Sequence, residues 1–163
     1  MLNEITGDIL NVKDGIICHQ VNYHGVMGGG VAASIADNIL TDAQYQEYAE
    51  YCKTAGRTAL GTVQFLGCPG GLIVANMFCQ DDARARGGTT EAGITDYDAM
   101  RRCLVRVRSM ATLQGKRVYF PRNIGCGIAG GSWDTVRYII QDVFGAYPVD
   151  ASIVGRKQSC GKT

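Results

Sequence analysis

Short hydrophobic runs of strand length alternate along the chain with longer segments in which hydrophobic residues recur at helical spacing. The strand-length runs are residues 1–6, 15–21, 62–66, 72–78, 116–121 and 151–154. The helical segments are residues 31–39, 96–113, 133–144 and a helix that runs to about residue 56 with Asp42 as its expected cap. Because strands alternate with helices, the pattern predicts an α/β fold with a mostly parallel sheet covered on both faces.

The length and composition of the chain fit one domain. With 163 residues, of which 46% are hydrophobic, the chain can bury one well-formed core. We expect a single domain over residues 1–155, followed by a short basic tail at residues 156–163. The formal net charge of +1, from 16 basic and 15 acidic residues, provides no field for wrapping a nucleic acid.

The cysteines and the hydrophobic runs indicate a cytoplasmic protein without a membrane segment. The seven cysteines are scattered and odd in number, which favours reduced thiols. No C-x-x-C motif occurs, and the two histidines do not have the spacing of a zinc site, so we expect neither a metal nor a cofactor. No hydrophobic run approaches the roughly 18 residues of a membrane span. We also expect a monomer.

Two glycine-rich loops each follow a predicted strand and precede a predicted helix. The first contains Gly28, Gly29 and Gly30, and the second contains Gly125, Gly127 and two further glycines. Glycines leave backbone N–H groups accessible at a helix N-terminus, where anions bind. Two such loops therefore predict that the phosphate groups of one ligand, such as a diphosphate, are held between them.

Both loops match the glycine spacing of dinucleotide-binding proteins, Gly-x-Gly-x-x-Gly/Ala. That site also requires an acidic residue about 20 residues later, at the end of the next strand, to hold a ribose. After the first loop this distance falls within a helix, near Glu47 and Glu50, and after the second it reaches Asp150, which precedes its strand. The chain therefore lacks the ribose-binding acidic residue that a nicotinamide-cofactor site requires.

Four motifs, in the same order along the chain, resemble those of the macro domain family. They are Gly7-Asp8-Ile9-Leu10, His19-x-x-Asn22-x-x-Gly25-x-Met27-Gly28-x-Gly30-Val31-Ala32, Asn76-x-Phe78-x-Gln80 and Pro121-x-x-Ile124-Gly125-Cys126-Gly127-Ile128-Ala129-Gly130-Gly131-x-Trp133. The branch that they resemble contains the terminal ADP-ribose protein glycohydrolase, the yeast ADP-ribose-1''-phosphate phosphatase and the antitoxins that remove ADP-ribose from DNA.

This resemblance implies a three-layer α/β/α sandwich with a mixed, mostly parallel sheet, and an ADP-ribose site at the carboxyl ends of the strands. Asp8 would accept the adenine amino group beside the backbone of Ile9, and Asn22 would contact the distal ribose. The diphosphate and the distal ribose would be held from two sides by the loop residues Gly28, Gly29, Gly30 and Val31 and by Gly125, Cys126, Gly127, Ile128 and Ala129. An ADP-ribosylated macromolecule is a further partner that the resemblance allows.

The chain differs from the family at the positions of the catalytic residues of two hydrolase branches. The glycohydrolase uses a lysine in the stretch corresponding to residues 76–81 and an aspartate in the second loop, where this chain has Gln80 and Ala129. The larger mono-ADP-ribosyl hydrolase branch places an aspartate just after its first glycine loop, where this chain has Ala32. Neither known device for removing ADP-ribose from a protein is therefore present.

The yeast-type phosphatase implicates a histidine at the position that matches His19, so His19 is the first catalytic candidate. A neutral imidazole can act as a base on water or as an acid on the leaving sugar oxygen. Asp81 or Asp82, in the charged stretch 80–93, could orient the water, and His24 is a second candidate. We expect hydrolysis of an ADP-ribose derivative, with the 1''-phosphate as the leading substrate and O-acetyl-ADP-ribose or ADP-ribosyl adducts next. The alternative is a reader or scavenger of ADP-ribose without catalysis.

Overall fold

A computed structural model describes residues 1–81, 94–127 and 129–156. The strands are β1 (Leu2–Thr6), β2 (Gly15–Val21), β3 (Val63–Gly67), β4 (Leu72–Phe78), β5 (Gln80–Asp81), β6 (Ile94–Thr95), β7 (Val118–Pro121) and β8 (Ala151–Gly155). The α-helices are α1 (Gly30–Asn38), α2 (Asp42–Ala55), α3 (Tyr97–Gln114) and α4 (Trp133–Phe144), and short 3-10 helices cover Ile9–Asn11, Gly56–Ala59 and Pro69–Gly71.

The central sheet has six strands in the order β1-β8-β7-β2-β4-β3. Four of the neighbouring pairs are parallel, and β3 at one edge runs antiparallel to β4. The two-residue strands β5 and β6 form a separate antiparallel pair. The expected α/β fold with a mixed, mostly parallel central sheet is confirmed.

Strand β2 shows how the helices cover both faces of the sheet. It is almost wholly buried, as its continuous hydrophobic pattern predicts. Since successive side chains of a strand point to opposite faces, Ile16 packs with residues of α3 and α4, whereas Ile17 packs with Ile35 of α1. The fold therefore has three layers. Helices α1 and α2 cover one face of the sheet, and helices α3 and α4 cover the other.

Helix α2 begins one residue earlier than its expected cap implies. Thr41, not Asp42, is the N-cap: its side chain accepts a hydrogen bond from the N–H of Gln44, and the Gln44 side chain accepts one from the N–H of Thr41. This reciprocal capping box satisfies two N–H groups of the helix start. Asp42 lies in the first turn, where its charge is favourable.

The chain topology brings the predicted site residues to one edge of the sheet. The parallel strands β1, β2, β7 and β8 all end at this edge, because parallel strands share a direction. The loop after β2 leads into α1, and the loop after β7 leads into α4. Both glycine-rich loops therefore leave the sheet at the same edge, where open α/β sheets bind ligands.

Candidate functional site

Two adjoining cavities form a cleft at the carboxyl edge of the sheet. The larger, of about 1020 Å³, is lined by both glycine-rich loops and is called the glycine-loop cavity. The smaller, of about 500 Å³, is lined by Asp8 and is called the Asp8 cavity. Residues that line both are Val31, Pro121, Arg122 and Asn123. One elongated ligand can therefore occupy both cavities.

The first glycine-rich loop presents the N-terminus of α1 to the glycine-loop cavity. Gly28, Gly29, Gly30 and Val31 all line the cavity, as predicted. Gly29 is the N-cap, and since it has no side chain, no side-chain hydrogen bond satisfies the first N–H groups of the helix. These N–H groups and the helix dipole make the loop a site for an anion.

The second glycine-rich loop faces the first across the same cavity. Gly125, Cys126, Gly127 and Ala129 line it, whereas the predicted Ile128 lies outside the described residues. Gly125 has a φ of +74°, and a Cβ there would lie 2.9 Å from Gln20 Oε1, so only glycine fits. Within the described part of the chain, the N–H groups of Gly125 and Gly127 make no backbone hydrogen bond. They are available to a ligand.

Asp8 caps a short 3-10 helix and also lines the cleft. One carboxylate oxygen, Oδ1, accepts a hydrogen bond of 2.9 Å from the N–H of Leu10 and caps the 3-10 helix Ile9–Asn11. The side chain is nonetheless exposed and lines the Asp8 cavity together with Ile9. A carboxylate can accept several hydrogen bonds, so Asp8 can hold the turn and still accept an amino group from a ligand.

Asn22 and His24 lie where the first loop leaves β2. The Asn22 amide donates to the backbone oxygen of Val26 (2.9 Å) and accepts from the N–H of His24 (3.0 Å). Asn22 therefore shapes the loop, and it lines the glycine-loop cavity. The exposed His24 lines the same cavity. Its imidazole is accessible to both solvent and ligand.

His19 lines the glycine-loop cavity, as predicted, but the residue is only 1% exposed. Its Nε2 lies 2.5 Å from Asn76 Oδ1 on the neighbouring strand β4, and Asn76 in turn donates to Gln64 on β3. His19 Nδ1 is buried and has no hydrogen-bond partner among the described residues. Burial lowers the pKa of His19 to about 4. The ring is therefore neutral at physiological pH, and it is a weak base.

The pKa of His19 predicts a specific pH dependence of stability. The unfolded chain protonates this histidine near pH 6.5 but the folded chain only near pH 4, so stability falls as the pH falls through this window. Between pH 7 and pH 5 the loss attributable to His19 is about 2 kcal/mol. Urea unfolding should show this loss in the wild type and in His24→Gln, which removes the exposed histidine. A His19→Gln variant with the same pH dependence as the wild type would contradict it.

Asp81 does not line the cleft in the described structure, contrary to the expectation that it orients a catalytic water. Its carboxylate is fully buried and accepts hydrogen bonds from Tyr23 Oη (2.7 Å) and from Arg57 Nη2 (3.0 Å). These partners hold it against the loop after β2 and the 3-10 helix that follows α2. Its neighbour Gln80 lines the glycine-loop cavity instead.

The described lining of the glycine-loop cavity has no carboxylate and no lysine. Cys126 lies there, but burial raises the pKa of its thiol, opposite to the lowering that a helix N-terminus produces in a nucleophilic cysteine. Arg122 and Asn123 at the junction of the two cavities were not predicted as site residues. Residues 82–93, in the polar stretch that we expected to serve the ligand, lie outside the described residues.

The fold matches known structures, although no protein-family model and no curated protein matches the sequence. A Bacteroides thetaiotaomicron protein of unknown function is 27% identical, with a TM-score of 0.78 over 96% of this chain and 98% of that one. The macrodomain of Mycobacterium tuberculosis DarG is 22% identical, with a TM-score of 0.78 over 96% and 99%. Thermosipho africanus DarTG in complex with ADP-ribose is 14% identical, with a TM-score of 0.69 over 94% and 41%. The chain therefore has the fold of macro domains.

Proposed function

We propose that this chain binds ADP-ribose, with the adenine in the Asp8 cavity and the diphosphate between the two glycine-rich loops. The observation that carries the proposal is the convergence of both glycine-rich loops on one cavity, with helix-start and loop N–H groups that lack partners among the described hydrogen bonds. Asp8 supplies an acceptor for the exocyclic amine of adenine at the other end of the cleft. The ADP-ribose complex of Thermosipho africanus DarTG supports the same ligand.

The charges along the cleft suit an anionic ligand. Arg122 lies at the junction of the two cavities, and its guanidinium forms no ion pair with another described residue. Asp8 is the one carboxylate among the described lining residues of both cavities. A diphosphate placed between the glycine-rich loops therefore contacts N–H dipoles and a guanidinium, and no described carboxylate there repels it.

Binding is tested by titration calorimetry with ADP-ribose, with AMP as a truncated ligand. ADP-ribose should bind in the micromolar range, and AMP should bind more weakly because it leaves the glycine-loop cavity largely empty. Equal affinities for the two ligands would contradict the placement of the diphosphate between the loops. No binding of ADP-ribose would contradict the function itself.

The second part of the proposal is hydrolysis of ADP-ribose-1''-phosphate, with His24 as the proton-transfer residue. Water attacks phosphorus, the bond from phosphorus to the sugar oxygen breaks, and the leaving oxygen takes up a proton, giving ADP-ribose and inorganic phosphate. Both histidines line the glycine-loop cavity. His24 is favoured over His19 because it is exposed, whereas His19 is buried and hydrogen-bonded to Asn76. O-acetyl-ADP-ribose and ADP-ribosyl adducts are the next substrates to test.

We expect His24→Gln to reduce phosphate release about 100-fold while ADP-ribose affinity stays within about twofold, because a general acid acts on the reaction and not on the bound nucleotide. His19→Gln is the matched variant of the other histidine. Turnover lost in His19→Gln and kept in His24→Gln would assign the role to His19. Binding by the wild type with no turnover of any of these substrates would identify a reader.

A further inference from the structure

A third cavity lies beside the cleft, on the other side of His24. It has a volume of about 500 Å³ and is called the Lys53 cavity. Its lining residues come from the loop after β2, the end of α2 and the 3-10 helix that follows: Tyr23, His24, Gly25, Ala49, Cys52, Lys53, Gly56 and Arg57. None of the sequence motifs pointed to it, because its residues lie far apart along the chain.

His24 lines both this cavity and the glycine-loop cavity, so the two cavities are neighbours. The three cavities thus follow one another in the order Asp8, glycine-loop and Lys53. A nucleotide with adenine at Asp8 and diphosphate between the loops directs its distal ribose towards Asn22 and His24. A group attached to that ribose therefore points to the Lys53 cavity.

The Lys53 cavity has the charge of a site for an anion. Lys53 and Arg57 are its fully charged residues, and its lining has no carboxylate. The exposed Lys53 makes no ion pair with a described residue. It also lies in the last turn of α2, where it offsets the negative end of the helix dipole.

Arg57 is held in a fixed orientation. Its Nε and Nη2 lie 3.4 and 3.0 Å from the two oxygens of Asp81, and the hydrogen bond to that carboxylate raises the pKa of the guanidinium. The Asp81 side chain is 1% exposed and the Arg57 side chain is 65% exposed. The carboxylate therefore lies in the interior, and the guanidinium faces solvent at the Lys53 cavity. A preorganised guanidinium loses little freedom when it binds a phosphate oxygen.

We propose that the Lys53 cavity is a subsite for a phosphate group carried on the distal ribose, with Lys53 and Arg57 as specificity-determining residues. This inference rests on the proposed ADP-ribose site and names the feature that separates a phosphorylated ligand from ADP-ribose itself. It also gives His24 a place beside the phosphate ester bond that breaks, where the leaving sugar oxygen takes up its proton.

Lys53→Met tests the subsite, because it removes the charge and keeps the length of the side chain. We expect affinity for ADP-ribose-1''-phosphate to fall about fivefold, with affinity for ADP-ribose unchanged. Lys13→Met is the matched control: Lys13 is exposed, lines none of the three cavities and loses the same charge. Arg57→Lys, which keeps the pairing charge for Asp81, should show a smaller loss than Lys53→Met. An equal loss for both ligands in Lys53→Met would overturn the subsite.

Inorganic phosphate separates this inference from the proposed function. In amide NMR spectra, millimolar phosphate should shift the Gly25 and Gly56 signals of the wild type and of Lys13→Met but not those of Lys53→Met. ADP-ribose should shift the Gly29 and Gly127 signals. Shifts from ADP-ribose without shifts of Gly25 and Gly56 from phosphate would overturn the subsite and leave the ADP-ribose site standing. The reverse pattern would overturn the ADP-ribose site and leave the Lys53 cavity as a site for free phosphate only.

Discussion

Replacement of Gly127 by glutamate should lower the affinity for ADP-ribose at least about 1000-fold without unfolding the protein. Gly127 is exposed in the second glycine-rich loop, and no described atom lies within 4 Å of the position that a Cβ would take. The new side chain therefore fits the loop but enters the space proposed for the diphosphate. A carboxylate a few ångströms from two phosphate charges is repelled by several kcal/mol where water is partly excluded.

Two controls separate charge from bulk at this position. Gly127→Gln has nearly the same shape without the charge, and we expect it to weaken binding only about tenfold. Gly67→Glu makes the same change at the exposed end of β3, where a Cβ also has no described atom within 4 Å, and it should leave affinity unchanged. Calorimetry measures the affinities, and circular dichroism checks the fold. Near-wild-type affinity of a folded Gly127→Glu variant would refute the placement of the diphosphate.

Removal of the Asp81 carboxylate should destabilise the fold by about 3 kcal/mol and leave the chemistry of the cleft intact. In Asp81→Ala the buried hydroxyl of Tyr23 loses its acceptor at 2.7 Å, and the space left by the fully buried carboxylate adds to the cost. Chemical denaturation measures the free energy of unfolding. At saturating ADP-ribose-1''-phosphate, phosphate release by the folded fraction should stay close to that of the wild type, whereas affinity for this substrate should fall because Arg57 loses the carboxylate that orients it.

An exposed ion pair provides the control for Asp81→Ala. Asp14 lies 2.6 Å from Lys116 but its side chain is 71% exposed, so Asp14→Ala should change stability little. Tyr23→Phe combined with Asp81→Ala should cost less than the sum of the two single variants, because both remove the same hydrogen bond. If Asp81→Ala is as stable as the wild type but loses turnover, Asp81 is catalytic and our assignment is wrong.

The parts of the site that depend on local sequence were predictable. The continuous hydrophobic run of β2 and the glycines that follow it placed the first loop at the carboxyl edge of the sheet. The start of α2 was misplaced because Thr41 and Asp42 are both good caps. The glutamine at position 44, three residues after Thr41, is the capping-box signal that distinguishes them.

The parts that depend on distant contacts could not be predicted from single residues. Asp81 was taken for a cleft residue because it follows β4 in a polar stretch, but Tyr23, 58 positions earlier, binds it in the interior. The pKa of His19 depends on burial between helices and strands, which the strand pattern alone does not quantify. The Lys53 cavity likewise exists only because the end of α2 packs beside the loop after β2.

The pairing of β1 with β8 has a consequence for the order in which the protein is made. Leu2 lies opposite Ala151 in the register of these parallel strands. Strand β1 can therefore pair only after β8 has been synthesised. The Asp8 cavity takes lining residues from just after each of them, at Asp8 and at Arg156. Synthesis can therefore complete both glycine-rich loops while the Asp8 cavity is still unformed, and this cavity is complete only after β8 has paired with β1.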